Sequence, residues 1–293
     1  MRKLGAAPGM ATLYGRAALG AVPGASLLPF VGGRGDELPE TELVLEGVEA
    51  DLDRLASYCR VCGFTLRDTL PATYPHVLAF STQMRLMADG GFPFPLLGLV
   101  HLDNSITQHR PIGAGERLEL RVRAADLRTH PKGSAFTLLV DGYVDGDRVW
   151  EEGGTILHRG GGDPDARWDD GPEPVAADAP ATTEWKVGGD LGRRYAGVSG
   201  DRNPIHMHSL SARALGFPRA IAHGMWSKAR CLAQLEGKTP DAFTVDVGFL
   251  KPLLLPARVG FVPVDRDGGR TGFALRGSRD GTEHLNGELR PLA

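Results

Sequence analysis

The chain has 293 residues, 42% of them hydrophobic and 24% charged, and a formal net charge of −3 at pH 7. That length suits two domains of ordinary size or one large one, with ample apolar material for a core. The slight negative balance leaves no basic footprint for nucleic acid, and the lack of a run of eighteen apolar residues argues against a membrane-spanning helix.

In chain order, Met1-Arg2-Lys3 and the Ala/Gly/Pro-rich residues after it imitate a secretory leader only weakly. Pro8, Gly9, Gly15 and Arg16 interrupt the apolar stretch, so an N-terminal arm packed on the body is expected. The cysteines, Cys59, Cys62 and Cys231, are odd in number and sparse, which fits a reducing cytoplasm. Cys59-x-x-Cys62 has the spacing of a redox pair or half a zinc site, but no second C-x-x-C exists and no βαβ pattern precedes it, so structural thiols are expected. Residues 76–88 are apolar at helical spacing and stop at Asp89-Gly90-Gly91. Strand signals follow at 117–123 and 135–144. The Gly/Pro/Asp-rich stretch 161–181 has the composition of a linker. A second helix is predicted over 225–235, from Trp226, Ala229, Leu232 and Leu235, with Gly237 as its stop. Strands are predicted at 243–250, 258–264 and 271–277. The expected division is an N-terminal module over 1–160, the linker, and a C-terminal module over 182–293.

The two modules echo each other. Tyr58-x-x-Val61-x-Gly63 returns as Tyr195-x-x-Val198-x-Gly200, Tyr74-Pro-His76-Val loosely as Ile221-Ala-His223-Gly, and Arg110-Pro-Ile as Lys251-Pro-Leu. The order is preserved, as in one structural unit used twice. From Gly63 to His76 the first copy spans 13 positions, against 23 from Gly200 to His223 in the second. The segment missing from the first copy is the one carrying Asp201 and His206.

That segment, Tyr195 to His206, holds most of the chemical information. It sets a carboxylate and an imidazole five residues apart with Asn203-Pro204 between them. Proline fixes its own φ and disfavours helix at the residue before it, so a stiff irregular loop is expected, able to aim both side chains at one point for proton transfer. The plain alternative is a surface turn with a local Asx bond.

The pattern Tyr195-x-x-Val198-Ser-Gly-Asp201-x-Asn203-Pro204-Ile-His206, then Phe217-Pro218 and Ala222-His223-Gly224-Met225, resembles the MaoC-like (R)-specific enoyl hydratases and 3-hydroxyacyl-thioester dehydratases of the double hot-dog type. The catalytic resemblance covers about residues 184–290, and the N-terminal half resembles the degenerate partner module. It implies an α+β fold of two hot-dog modules, each a long helix wrapped by an antiparallel sheet, with the sheets side by side. It also implies interconversion of trans-2-enoyl and (3R)-3-hydroxyacyl thioesters on coenzyme A or acyl carrier protein, without cofactor or metal. Within that chemistry Asp201 and His206 are the expected proton-transfer pair. Gly224, at a helix start with unpaired N–H groups, is the expected oxyanion donor, with an ordinary glycine cap as its alternative. Asn203 is expected to support the loop or a catalytic partner. By the same resemblance His101 and Lys132 contact the carrier arm and Phe249 lines the pocket, against core packing for His101 and Phe249 and a hairpin turn for Lys132. His206, His208 and His223 raise a metal site, which the missing ligand spacing disfavours. The blank first copy implies room for a long or branched acyl chain. A thioesterase on the same fold and a non-catalytic acyl-binding subunit are the rival functions. Monomer and homodimer are both open, and a cytoplasmic location is expected.

Overall fold

A computed structural model describes residues 1–10, 12–15, 37–96, 98–168 and 171–292. They form two compact units, Met1–Glu49, Pro75–Leu102 and Gly115–Asp169 in the first, Ala50–Tyr74, Asp103–Ala114 and Asp170–Ala293 in the second. The division does not follow the chain linearly.

In the first unit, β1 (Arg2–Leu4) runs parallel to β2 (Leu43–Val48), and β2 pairs antiparallel with β4 (Leu118–His130). From there the ladder continues antiparallel through β5 (Gly133–Val144) and β6 (Asp147–Arg159). Helix α2 (Tyr74–Met87) supplies Val77, Ala79, Met84 and Leu86 to the core, with Leu120, Val122, Phe136 and Trp150 from the strands. Of the predicted N-terminal arm, residues 2–4 join the sheet and Leu13 is buried. Residues 16–36 lie outside the described residues.

In the second unit, β7 (Thr183–Val187), β9 (Ala257–Asp265), β10 (Thr271–Gly277), β11 (Glu283–Pro291) and β8 (Phe243–Phe249) form an antiparallel ladder in that order. Residues 103–108 of β3 (Val100–Gln108) pair with β8. Its helices are α1 (Leu52–Cys62), α3 (Leu191–Ser199), α4 (Pro204–Met207), α5 (Ser209–Ala214) and α6 (Gly224–Leu235). Chain order and ladder order match between copies, β2–β4–β5–β6 against β7–β9–β10–β11, with β3 standing where β8 does along the chain. The echoed glycines, Gly63 and Gly200, both end their helices at φ 85°, a left-handed cap that only glycine adopts freely. The extra residues of the second copy are α4 and α5.

The stretch composed like a linker is tied down at both ends. Trp168 packs edge-on to His130 and under the Arg128 guanidinium. Further on, Arg276 donates to the carbonyls of Val175, Ala176 and Ala177, Arg266 to those of Glu173 and Pro174, and Asn286 to that of Pro172. Val175 is buried against Val262 and Ala274. Guanidinium forks saturate carbonyls that would otherwise face water, and so convert a Gly/Pro/Asp stretch into a strap.

The three thiols are free and buried. Burial pushes Cys59 up to about 11, and Cys62 and Cys231 higher still, which disfavours the thiolate needed for zinc or redox work. Among the described residues no helix is long and apolar enough to cross a membrane.

Candidate functional site

The site is built where α3 ends. After Gly200 a ladder of short polar bonds sets the backbone: Ser199 Oγ accepts from Asp201 N–H (3.1 Å), Asp201 Oδ1 from Asn203 N–H (3.0 Å), and Asn203 Oδ1 from Ile205 N–H (3.4 Å). Asn203 is the N-cap of α4, extended at ψ 127°, and Pro204 takes the first helical position. The expectation of an irregular loop throughout is therefore corrected in its second half. Proline keeps helix away from the residue before it, but it suits the first turn of one. His206 thus sits on a helical turn and Asp201 on the loop leading to it. Asn203 shapes the backbone through its Oδ1, which accepts from Ile205 N–H.

His206 is buried. Its Nδ1 lies 2.9 Å from the Ile221 carbonyl. A nitrogen facing a carbonyl must carry the proton, so Nδ1–H donates and Nε2 keeps a lone pair. The backbone of α4 is pressed against α3 at Gly192, where a Cβ would stand 1.9 Å from the His206 carbonyl oxygen. Helix α3 is anchored in turn by Arg54 of α1, which donates to the terminal carbonyls of Val198 (2.7 Å) and Ser199 (3.2 Å).

His223, the N-cap of α6, was weighed from sequence only as a metal ligand. Its ring stacks on His206 with centroids 3.7 Å apart and planes inclined by 27°, and Tyr195 packs against it at 4.8 Å. Its Nε2–H donates to the backbone carbonyl of Asp201 (3.0 Å), while Nδ1 is buried and accepts no hydrogen bond among the described residues. Burial, followed by the neighbouring His206, depresses His223 to about 3. It is therefore neutral, and its 3.7 Å approach to Asp201 Oδ2 is not an ion pair. Burial also lowers His206 below 6.5, against the opposing pull of the Asp201 charge and the Ile221 carbonyl.

The Asp201 carboxylate and ring nitrogens of His206 and His223 lie within 4.8 Å of one another. That set contains ligand types for a divalent ion, but an imidazole binds a metal in its own plane, about 2 Å from nitrogen. Two rings stacked face to face direct their lone pairs along nearly parallel planes and do not converge on one point. His208 is exposed and stands apart from the set. The arrangement fits a half-buried carboxylate and a neutral imidazole sharing a small polar molecule.

Gly224 follows immediately. The first N–H groups of α6 have no intrahelical acceptor, and a Cβ on Gly224 would lie 3.0–3.1 Å from three ring atoms of Phe249 on β8. Gly224 and Phe249 are thus brought together beside the histidine pair. His101 on β3 and Lys132 belong to the first unit. Lys132 is exposed in the β4–β5 turn, with its N–H on His130 Nδ1 and its carbonyl accepting from Gly160 N–H, the bonding of a hairpin.

Lys228 was not anticipated. It is fully buried and donates to Asn104 O (3.0 Å), Asn104 Oδ1 (2.5 Å) and Val245 O (3.1 Å). The available signal was a lysine in the otherwise apolar stripe of 225–235. Arg54 gave no signal, because its acceptors lie far along the chain.

Residues 173–275 match the MaoC like domain, and residues 59–151 match the FAS1-like dehydratase domain region. The chain is 37% identical over 282 residues to 3-hydroxyacyl-thioester dehydratase X of Mycobacterium tuberculosis, covering 94% of this chain and 96% of that one. A crystal structure of that protein, HtdX, superimposes with a TM-score of 0.77 at 34% identity over 86% of this chain and 100% of its own. A double hotdog-fold protein of the same organism shares the fold at 13% identity, with a TM-score of 0.56 over 86% of this chain and 96% of its own. Each copy described above is accordingly a hot-dog module, and the chain belongs to the MaoC-like dehydratase family.

Proposed function

We propose that the chain is a carbon–oxygen lyase of fatty-acid metabolism that interconverts trans-2-enoyl thioesters and (3R)-3-hydroxyacyl thioesters, carried on coenzyme A or acyl carrier protein. In the hydration direction one water lies between Asp201 and His206. Its oxygen bonds to C3 as its proton passes to the free Nε2 of His206, and the C2=C3 electron pair moves toward the thioester oxygen. The N–H of Gly224 meets the negative charge developing there. The pair then delivers a proton to C2, and dehydration retraces these steps. Phe249 forms pocket wall against Gly224.

The observation that carries this reading is the fixed tautomer of His206. The Ile221 carbonyl holds the Nδ1 proton and leaves the lone pair on Nε2, in an imidazole that has a ring nitrogen within 4.8 Å of an Asp201 carboxylate oxygen. The test is loss of the enoyl-thioester absorbance on mixing with crotonyl or longer enoyl thioesters. Asp201→Asn and His206→Ala should each lower turnover by about 10²–10⁴-fold with the fold intact by circular dichroism. Near wild-type turnover in either variant would reject the pair, and inhibition by a chelator would reject its metal-free form.

A further inference from the structure

We infer that the outer face of the segment running from α3 through α5, which carries the proposed catalytic pair, docks an acidic acyl carrier protein. This inference rests on the reaction proposed above and concerns who delivers the substrate. Between Leu191 and His223 the sequence holds five arginines, Arg193, Arg194, Arg202, Arg213 and Arg219, against one carboxylate, Asp201, in a chain whose net charge is negative. All five are exposed. Among the described residues Arg193, Arg194, Arg213 and Arg219 make no ion pair.

Hydrogen bonds tie two of these arginines to neighbouring turns of the same segment. Arg193 Nη1 donates to the carbonyl of Met207 at the end of α4, and Arg213 Nε donates to that of Pro218, next to Arg219. Between them, one turn before Arg213, stands Leu210, 78% exposed and the most exposed large apolar side chain among the described residues. An exposed apolar side chain on a segment that also carries dispersed, exposed guanidinium groups is what an acidic protein surface with its own apolar contact requires. The phosphates of a nucleotide thioester would instead call for guanidinium groups converging on one point, whereas two of these are held apart on separate carbonyls. Met207 is one residue from His206, so a carrier seated here would lie on the segment that holds the proposed pair.

The test compares one crotonyl group on three carriers: acyl carrier protein, coenzyme A and N-acetylcysteamine. Arg213→Glu and Leu210→Ser should each reduce kcat/KM for the carrier-protein substrate by about tenfold or more, and weaken docking of the carrier in a titration without turnover. Values for the N-acetylcysteamine thioester should not change, and wild-type docking should weaken with salt. Equal losses on the short thioester, losses confined to coenzyme A, or unaltered carrier docking would each overturn the inference. Salt-sensitive, variant-sensitive docking by a chain inert toward all three thioesters would uphold the surface and reject the reaction.

Discussion

His223 donates its Nε2 proton to the backbone carbonyl of Asp201 and lays its ring on His206, so one side chain holds both members of the proposed pair. It touches the loop at one end and the imidazole face at the other, which makes it a positioning residue. His223→Ala would open a void under His206 and leave the Asp201 carbonyl without its donor. Loss of the donor alone is worth about 1–3 kcal/mol of stability, and the freed geometry about 10–100-fold in kcat. His223→Gln, which keeps a side-chain N–H, should recover part of kcat with little change in KM. Equal kinetics for wild type and His223→Ala would end this assignment.

The same two histidines set an acid limit. Both are held neutral by burial, with folded-state values below the ordinary 6.5. Below pH 6.5 the unfolded chain therefore binds protons that the folded chain refuses. Their stabilising effect is complete above 6.5 and declines as pH falls, for His223 as far as about 3. At pH 5 His223 alone should lower unfolding free energy by roughly 2 kcal/mol relative to pH 7.5. His158 and His284 are also depressed by burial, so the contribution of His223 is the difference between wild type and His223→Phe in urea titrations at the two pH values. Parallel declines would show that His223 is not the titrating group. In kcat/KM, the acid limb belonging to His206 should fall below pH 6.5.

At Gly224 the Phe249 ring stands within 3.0–3.1 Å of a would-be Cβ. Gly224→Ala must push the ring back by a few tenths of an ångström or tilt the first turn of α6. If the N–H of that turn meets the developing charge, kcat should fall by about 10²-fold, the scale of one lost oxyanion donor. Phe249→Leu in the same chain should restore part of the rate by clearing the space. A Gly224→Ala enzyme altered in KM alone would place the residue outside the oxyanion contact.

Much of this was legible in the sequence, and the misses have physical causes. Residues 76–88 and 225–235 announce α2 and α6 because apolar side chains recur at helical spacing along each. The Tyr-x-x-Val-x-Gly echo marks helix C-termini because both glycines must adopt a left-handed cap. Strand β11 did not read as a strand because alternation had been erased: Asn286 and Glu288 are buried beneath the 172–179 strap, bonded to Pro172 and to Arg266. Its Gly287 leaves space for the Phe273 ring, which a Cβ would meet at 2.4 Å. Strand β6 is hidden similarly by Glu151-Glu152-Gly153-Gly154. Asp201 and His206 were legible because five residues separate them. The contacts that orient them, from Ile221, His223 and Arg54, were not, because they depend on where distant segments return.

Gly192 is the least conspicuous residue on which the site depends. Nothing in Leu191-Gly-Arg-Arg marks it, yet its missing side chain is what lets α3 lie on the backbone of His206. A Cβ there would sit 1.9 Å from the His206 carbonyl oxygen and 2.9 Å from its carbon. Those are main-chain atoms that cannot rotate away, so Gly192→Ala has to move α4 as a body. Overpacking of this kind typically costs about 1–3 kcal/mol, and an ångström of displacement at a proton-transfer group about 10²-fold in rate. The variant should therefore unfold at lower urea and lose turnover on every carrier alike. Gly197, on the exposed side of the same helix with nothing within 4 Å of its would-be Cβ, is the control: Gly197→Ala should keep the rate and gain slightly in stability. If Gly192→Ala behaves like Gly197→Ala, the close approach of α3 to His206 does not set the position of the imidazole.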